Sequence, residues 1–315
     1  MEKSVKNFDT IRQLTLVFLL VAEIVIFTVL SGTFLTGSNI INILRQVSVS
    51  GISAMGMFMI ILLGDIDLSV GSMYAFIGVV CAYAFRATGS AVVTILVALG
   101  LGIVIGIFNG TITVKFKISA FITTLATMSI CRGLGYILTG GTPIGVTDQN
   151  FTFLGSGYIA NLIPLPVIFM IVVIAVIYFV MYKTRFGRYV YATGGNYQAA
   201  EWSGIKTERI KIMVFLIAGL LNGFAAIILA GRLGGGLPAA GDGAEMDVIT
   251  AVVLGGTSMS GGKGKLWGVI IGVLIIGILT NGLTMMGVST YWQEVVKGAI
   301  ILIAVIMDTK SSEKE

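Results

Sequence analysis

Two aspartates stand close together between apolar segments, in the sequence Gly64-Asp65-Ile66-Asp67-Leu68-Ser69. Carboxylates beside long apolar segments are costly in lipid and usually indicate function. One interpretation is that Asp67 or Ser69 caps the helix that follows, because each side chain can accept hydrogen bonds from the first backbone N–H groups. The alternative is that Asp65, Asp67 and Ser69 line or gate a path through a membrane.

Three charged residues, Glu23, Arg132 and Lys297, lie inside long apolar segments. Such side chains are expected to face the interior of a helix bundle or a water-filled space. Glu23 could relay protons in a cation-driven carrier, or it could pair with a basic residue of another helix. We favour pairing of Glu23 with a basic residue that the sequence does not identify.

The segment from Gly255 to Gly264, GGTSMSGGKG, is similar to a phosphate-binding loop. Such a loop has a glycine, four further residues, Gly-Lys and then Ser or Thr. Here Thr257 occupies the position of the first glycine, and Gly264 follows Lys263. We therefore expect no ATPase site on this chain, and we interpret the segment as a flexible turn.

The chain contains no histidine, and its two cysteines, Cys81 and Cys131, lie separately in apolar segments. The lack of histidine excludes a Ser-His-Asp triad, a histidine-ligated metal site and a histidine proton relay. Isolated cysteines in apolar segments are typically small buried side chains. We expect no metal site, no disulfide framework and no cofactor bound by this chain.

The composition places these residues in a membrane protein. Hydrophobic residues make up 56% of the 315 residues, charged residues make up 11%, and the mean hydropathy is +1.00. A soluble domain is about 25% charged, so a chain with so few charges cannot cover a water-facing surface. These values exclude a soluble enzyme, a nucleic-acid-binding protein and a disordered protein.

The apolar segments predict the fold, because a helix needs about 20 mostly apolar residues to cross a bilayer. We predict an all-α polytopic membrane protein, a single domain over residues 1–315, with about ten transmembrane helices. A β-barrel is not expected, because apolar segments such as 167–180 do not alternate. The predicted spans are 14–30, 47–63, 68–86, 91–113, 119–138, 163–182, 212–230, 246–258, 267–284 and 294–307.

The positions of the lysines and arginines predict the orientation. If the N-terminus is cytoplasmic, then Arg45, Arg86 and Arg232 fall outside, and Arg132 and Lys297 fall within spans. All other basic residues fall in cytoplasmic segments. This excess agrees with the positive-inside rule and predicts that both termini are cytoplasmic.

The sequence contains a weak internal repeat. The paired motifs are Asp65-Ile66-Asp67-Leu68 with Glu245-Met246-Asp247-Val248, and Asn109-Gly110 with Asn281-Gly282. In the predicted topology, the first member of each pair is cytoplasmic and the second is external. We predict an inverted repeat of five plus five spans, with a substrate path between the halves. A competing alignment of 64–71 with 255–262 would give a parallel repeat.

The longest hydrophilic segment between predicted spans covers residues 183–211. In it, Gly194-Gly195 would break the chain, and Asn196 would cap a short helix that Gly204 ends. The helix would present Ala199-Ala200, whose small side chains let the backbone of a partner approach closely. The alternative is a solvated connector.

Four motifs, in order, carry a resemblance to one family. They are GDIDLSVGS, GRYVYATGGNYQAAEWSGI, AVVLGGTSMSGGKG and the late NGL that precedes the C-terminal apolar segment. Together they resemble the permease subunit of carbohydrate ABC importers of the ribose, xylose and autoinducer-2 type. The resemblance extends from about Phe34 to Asp308, and the ribose permeases are the most similar members.

This resemblance implies a transmembrane subunit that translocates a monosaccharide, ribose or a similar pentose or hexose, inward across the bacterial plasma membrane. It implies a second permease subunit, identical or related, a cytoplasmic ATPase that binds ATP and Mg²⁺, and an extracytoplasmic sugar-binding protein. Residues 183–211 would form the coupling loop, with glutamine at position 198 where the family usually has glutamate. The candidate coupling residues are Gly194, Gly195, Asn196, Gln198, Ala199, Ala200 and Gly204.

A hydrated sugar needs hydrogen-bonding side chains along its path. The candidate residues for the path or its gating are Asp65, Asp67, Ser69, Asn109, Thr123, Thr124, Asn222, Asp247, Thr280 and Asn281. The polar side chains could instead form hydrogen bonds between helices in lipid. Two other functions compete, namely a secondary sugar carrier driven by an ion gradient through Glu23, Asp65 or Asp67, and a passive channel with a ring of like residues.

Overall fold

A computed structural model describes residues 2–160 and 162–312, with side chains described for 14–160 and 162–306. The helices are α1 (Glu2–Leu30), α2 (Gly37–Leu62), α3 (Val70–Thr88), α4 (Ala91–Lys115), α5 (Ala120–Thr139), α6 (Gln149–Ser156), α7 (Leu165–Lys183), α8 (Arg185–Gly195), α9 (Tyr197–Trp202), α10 (Thr207–Leu233), α11 (Ala244–Leu254), α12 (Leu266–Met285) and α13 (Thr290–Ser312). Short antiparallel pairs join β1 (Ile144–Gly145) to β4 (Gly235–Gly236), and β2 (Tyr158–Ile159) to β3 (Ile163–Pro164).

Seven helices of the described chain are long and apolar enough to cross a membrane, and these are α2, α3, α4, α5, α7, α10 and α12. Residues 14–30 of α1 form a shorter apolar helix, and α11 and α13 overlap the two other predicted spans. The prediction of a mostly helical, polytopic membrane protein is confirmed. The total of ten spans stays a prediction.

The second helix forms the centre of the bundle. Its side chains Ile52, Met55, Phe58 and Leu62 are fully buried, and α7, α10, α11 and α12 pack around it. Most of the surface of α4, α5 and α7 is exposed instead. Large apolar side chains on that outer surface suit contact with lipid, because lipid tails impose no cost on exposed apolar groups.

Glycines allow α4 and α10 to pack closely. Gly102 and Gly106 of α4 lie against Gly219 and Gly223 of α10, and a Cβ on Gly102 would overlap the carbonyl oxygen of Gly219. Small residues at this four-residue spacing let two helix backbones approach in a membrane. The antiparallel contact continues to Gly110, which lies against Ile212, and so places the first turns of α10 next to the end of α4.

The bundle has two ends with different contents. One, the α9 end, contains the end of α2, helices α8 and α9, the start of α10 and the 255–265 segment, which contact one another. The other, the β end, contains the β1–β4 pair. Arg86 donates to the carbonyl of Gly145 there at 2.6 Å, and Arg45 donates to the carbonyl of Ser156 at 2.6 Å. Basic residues predicted to be external thus lie together, while the placement of the termini relative to the membrane stays a prediction.

Two non-helical segments enter the bundle from opposite ends. Residues 63–69 lead from the end of α2 to the start of α3, and residues 234–243 lead back from the end of α10 to the start of α11. Gly236 lies against Val79, whereas Gly71 lies against Gly241 and the carboxylate of Glu245. The second segment therefore runs along α3 toward its first turn, and α3 and α11 begin next to each other inside the bundle.

Candidate functional site

The hydrophilic 183–211 segment forms two helices, α8 and α9, at the α9 end. The sequence predicted α9 and missed α8, because Gly194 and Gly195 were interpreted as a break although they form the last turn of α8. A signal for α8 was present at Thr184, whose hydroxyl accepts a hydrogen bond from the Gly187 N–H at 3.4 Å as a helix N-cap.

The predicted ends of α9 are confirmed. The Asn196 side chain accepts a hydrogen bond from the Ala199 N–H at 2.9 Å. At the other end Gly204 has a φ of +83°, a left-handed conformation that glycine adopts without steric cost. The N–H of Gly204 donates to the carbonyl of Glu201, and the N–H of Ile205 donates to the carbonyl of Ala200. This pair of bonds is a Schellman motif.

The exposed surface of α9 differs from the predicted one. Ala200 is only 5% exposed, so its side chain packs within the chain and the prediction that it faces a partner is wrong. Ala199 and Gln198 are exposed as expected. Trp202, which was not a candidate, is 85% exposed. A tryptophan within a hydrophilic segment was the signal that could have identified it.

Helix α8 is attached firmly to the end of α2. A Cβ on Gly194 would overlap the carbonyl oxygen of Leu62, and the N–H of Gly262 donates to the same oxygen at 2.8 Å. Tyr191 donates from its hydroxyl to the carbonyl of Gly264 at 2.9 Å. The glycine-rich segment, interpreted from sequence as a flexible turn, is therefore packed between α2 and α8.

An ion pair connects α10 to the segment before α3. The Nζ of Lys211 lies 2.7 Å from the Oδ2 of Asp65, and the two side chains are 22% and 12% exposed. Burial raises the pKa of the Asp65 carboxyl above its usual range, and the attraction of Lys211 opposes this shift. Sequence reasoning selected Asp65 and missed Lys211.

Four predicted path residues form one buried polar cluster. The Oδ1 of Asp67 accepts hydrogen bonds from the N–H of Ser69 at 2.8 Å and from its hydroxyl at 2.6 Å. Asn109 donates to the Ser69 hydroxyl at 3.2 Å and accepts a hydrogen bond from Thr127 at 2.5 Å. The hydroxyl of Thr124 accepts a hydrogen bond from the backbone N–H of Leu68 at 3.1 Å. Thr127 is the member that sequence reasoning missed.

The cluster corrects the capping hypothesis. Ser69 occupies the N-cap position of α3 but makes no side-chain capping bond. Its hydroxyl instead donates to Asp67 and accepts a hydrogen bond from Asn109. Asp67 bonds to the N–H of Ser69 rather than to an N–H inside the helix. Asp67 therefore stabilises the turn that precedes α3, in the manner of an Asx-turn.

The other polar candidates in the helices lie apart from the cluster. Thr123 donates back to the carbonyl of Ser119 in its own helix. Asn281 exchanges two 3.0 Å hydrogen bonds with Asn39 and so joins α12 to α2. Asn222 is buried against α3, and the half-buried Thr280 hydroxyl has no partner among the described residues. The structure does not bring these four residues together.

The intramembrane charges have different surroundings. Lys297 of α13 lies 2.7 Å from Asp247 in the first turn of α11. Arg132 donates to two carbonyls of the 234–243 segment at 2.9 and 3.0 Å. Both basic residues therefore fix the structure around α11. For Glu23, the expected pairing is not found among the described residues, and its Oε2 is buried without a hydrogen-bond partner.

Replacing Asp67 with asparagine is expected to preserve folding, because the amide oxygen can accept both hydrogen bonds from Ser69. Replacing Asp67 with alanine leaves these two buried donors unpaired, at about 1–3 kcal/mol each. We expect thermal unfolding of the purified protein in detergent to show a near-normal Tm for D67N and a clearly lower Tm for D67A. Equal loss in both variants would show that the negative charge, not hydrogen-bond acceptance, is required.

The sequence is similar to those of known transport proteins. The family described as branched-chain amino acid transport system / permease component matches residues 39–305. A ribose import permease protein of Bacillus subtilis (strain 168) is 45% identical over 309 residues, which cover 97% of this chain and 96% of that protein. The ribose import permease protein of Escherichia coli (strain K12) is 45% identical over 303 residues, 95% of this chain and 94% of that protein.

The similarity extends to permeases for another sugar. A xylose transport system permease protein of Haemophilus influenzae is 36% identical over 344 aligned positions, covering 90% of this chain and 92% of that protein. No solved structure matches the chain at a significant level.

Proposed function

We infer the function of this chain from one premise, which is that it belongs to the permease family described for branched-chain amino acid transport systems. The relatives with the highest identities quoted above are named for ribose import, and they align along almost their whole length. We propose that the chain is the transmembrane subunit of an ABC importer that carries ribose, or a similar pentose or hexose, inward across the bacterial plasma membrane. The 45% identity to ribose permeases over nearly full length carries this proposal.

The complex that we propose contains two permease subunits, identical or related, and a cytoplasmic ATPase that binds and hydrolyses ATP with Mg²⁺. An extracytoplasmic binding protein delivers the sugar. The chain is one domain of ten spans with cytoplasmic termini, in contact with membrane lipid. The grouping of Arg45 and Arg86 at the β end, away from the basic α8–α9 segment, supports this orientation.

We propose that α8 and α9 form the surface on which the ATPase docks. The support is the combination of an exposed Trp202 on α9 and a close contact between Gly194 and the end of α2. A displacement of α8 and α9 would act on the central helix through α8 and on α10 through both helices. Movement of these helices would alternate the access of the path to the two sides.

We also propose that the two halves form an inverted repeat. The support is that α3 and α11 each begin inside the bundle, after non-helical segments that enter from opposite ends. The repeated acidic motifs lie at these two helix starts. The polar cluster holds the start of α3 against α4 and α5, while Gly71 lies against Glu245 where α3 and α11 begin. Asp247 and its ion pair with Lys297 fix α11 in turn.

The energy source distinguishes this proposal from a secondary carrier. We expect the chain, reconstituted in vesicles with its ATPase and binding protein, to take up labelled ribose when ATP is hydrolysed. A protonophore should leave the rate unchanged, and a non-hydrolysable ATP analogue should reduce uptake to the level of empty vesicles. Sustained uptake by the chain alone after a pH step would overturn the importer proposal in favour of the ion-driven carrier.

A further inference from the structure

The α9 end contains a groove of about 500 Å³ between two parts of the chain. One wall is formed by the end of α4 and the segment before α5, with Thr113 and Lys117. The other wall is formed by α9 and the first turns of α10, with Tyr197, Glu201 and Glu208. The groove therefore continues the proposed docking surface of α9 toward α4.

The groove carries uncompensated negative charge. Of its basic lining residues, Lys211 is already neutralised by Asp65 at 2.7 Å. Glu201 and Glu208 are exposed, and no salt bridge with another described residue is found for either carboxylate. With Lys211 neutralised, two carboxylates and the single ammonium of Lys117 remain. The other basic residues nearby in sequence, Lys115, Lys206 and Arg209, are not among the residues that line the groove.

Two further groups fit a flat cation. Thr113 lines the groove and is only 4% exposed, and its buried hydroxyl has no hydrogen-bond partner among the described residues. A buried hydroxyl without a partner is costly and indicates a group that supplies the missing bond. Tyr197 is 43% exposed and lies one turn from Glu201 on α9. An aromatic ring attracts a cation placed over its face.

We propose that this groove receives an arginine side chain of the cytoplasmic ATPase. This inference rests on the proposed function and adds to the α9 surface a second contact of different chemistry. A guanidinium is planar and carries five N–H donors, which suits two carboxylates and a hydroxyl at once. It also stacks on aromatic rings better than an ammonium does. Because α9 supplies both Tyr197 and Glu201, the arginine would hold α9 against α4 and α10.

The test measures the affinity of the purified ATPase for the full chain in nanodiscs, at low and high salt. Variants E201Q, E208Q and the double variant keep the shape and remove the charge. The matched control is E294Q, because Glu294 is an exposed glutamate at the start of α13, away from the α9 end. We expect the double variant to raise Kd at least about tenfold at low salt, which corresponds to about 1.4 kcal/mol. The control should leave Kd unchanged.

Two outcomes would overturn the inference. One is a double variant that binds the ATPase as tightly as the original chain and with the same salt dependence. The other concerns the arginines of the ATPase, which are replaced one at a time. We expect one of these replacements to weaken binding to the original chain but not to weaken binding to the double variant any further. If no arginine behaves in this way, an arginine is not the occupant of the groove. Failure of the unmodified chain to bind the ATPase at all would instead overturn the proposed function.

Discussion

Replacing Trp202 with alanine is expected to weaken binding of the ATPase by at least about 30-fold and to abolish ATP-driven uptake. Trp202 is 85% exposed on a six-residue helix that is capped at both ends. Large aromatic side chains near the centre of an interface often contribute 2 kcal/mol or more to binding, which is about 30-fold in Kd. The chain should fold normally, because an exposed side chain contributes little to its own packing.

The measurement compares the Kd for the purified ATPase, membrane abundance and uptake. Trp292 provides a matched control, because it is 65% exposed on α13, away from the α9 end, so W292A should keep normal affinity. Unchanged affinity and uptake in W202A would identify α8–α9 as a solvated connector. A charge at Ala199 tests the same surface, whereas Ala200 does not, because it is buried in the chain itself.

Replacing Lys211 with methionine is expected to destabilise the chain strongly. The variant leaves the Asp65 carboxylate, 12% exposed, without its partner at 2.7 Å. Removing one member of a buried ion pair typically costs about 3–5 kcal/mol. D65N should reduce the stability less than K211M does. Burial already raises the pKa of Asp65 and so disfavours its charged form. In D65N the unpaired ammonium of Lys211 can also be hydrated in the groove that it lines.

The double variant D65N/K211M separates stability from coupling. We expect it to regain most of the Tm lost in K211M, because no unpaired charge remains buried. We expect its uptake to stay low while ATPase binding is normal, because the link between α10 and the turn before α3 is absent. A K211M variant with normal Tm and normal uptake would show that the ion pair matters for neither property.

Features fixed by neighbouring residues could be predicted from the sequence. The ends of α9 depend on Asn196 and Gly204, whose bonds reach residues at most four positions away. The membrane class depends on composition, because too few charges are available to cover a water-facing surface. The candidates Asp67 and Ser69 could also be found from the sequence, because polar residues between apolar segments are recognised without knowledge of the fold.

Features fixed by distant residues needed the tertiary structure. The sequence shows that Ala199 and Ala200 are small, but the side chain that faces inward depends on how α9 sits against α8 and α10. Likewise Lys211 became a partner of Asp65 only because α10 lies beside the end of α2. Gly194 looks like a chain break in sequence, whereas in the structure the absence of a side chain lets α8 touch Leu62. The sequence alone thus predicted a helical membrane permease and identified its candidate polar residues. Packing between segments far apart in sequence decided which of these residues meet, because ion pairs, buried hydroxyls and close backbone contacts each depend on a neighbour that local sequence does not specify.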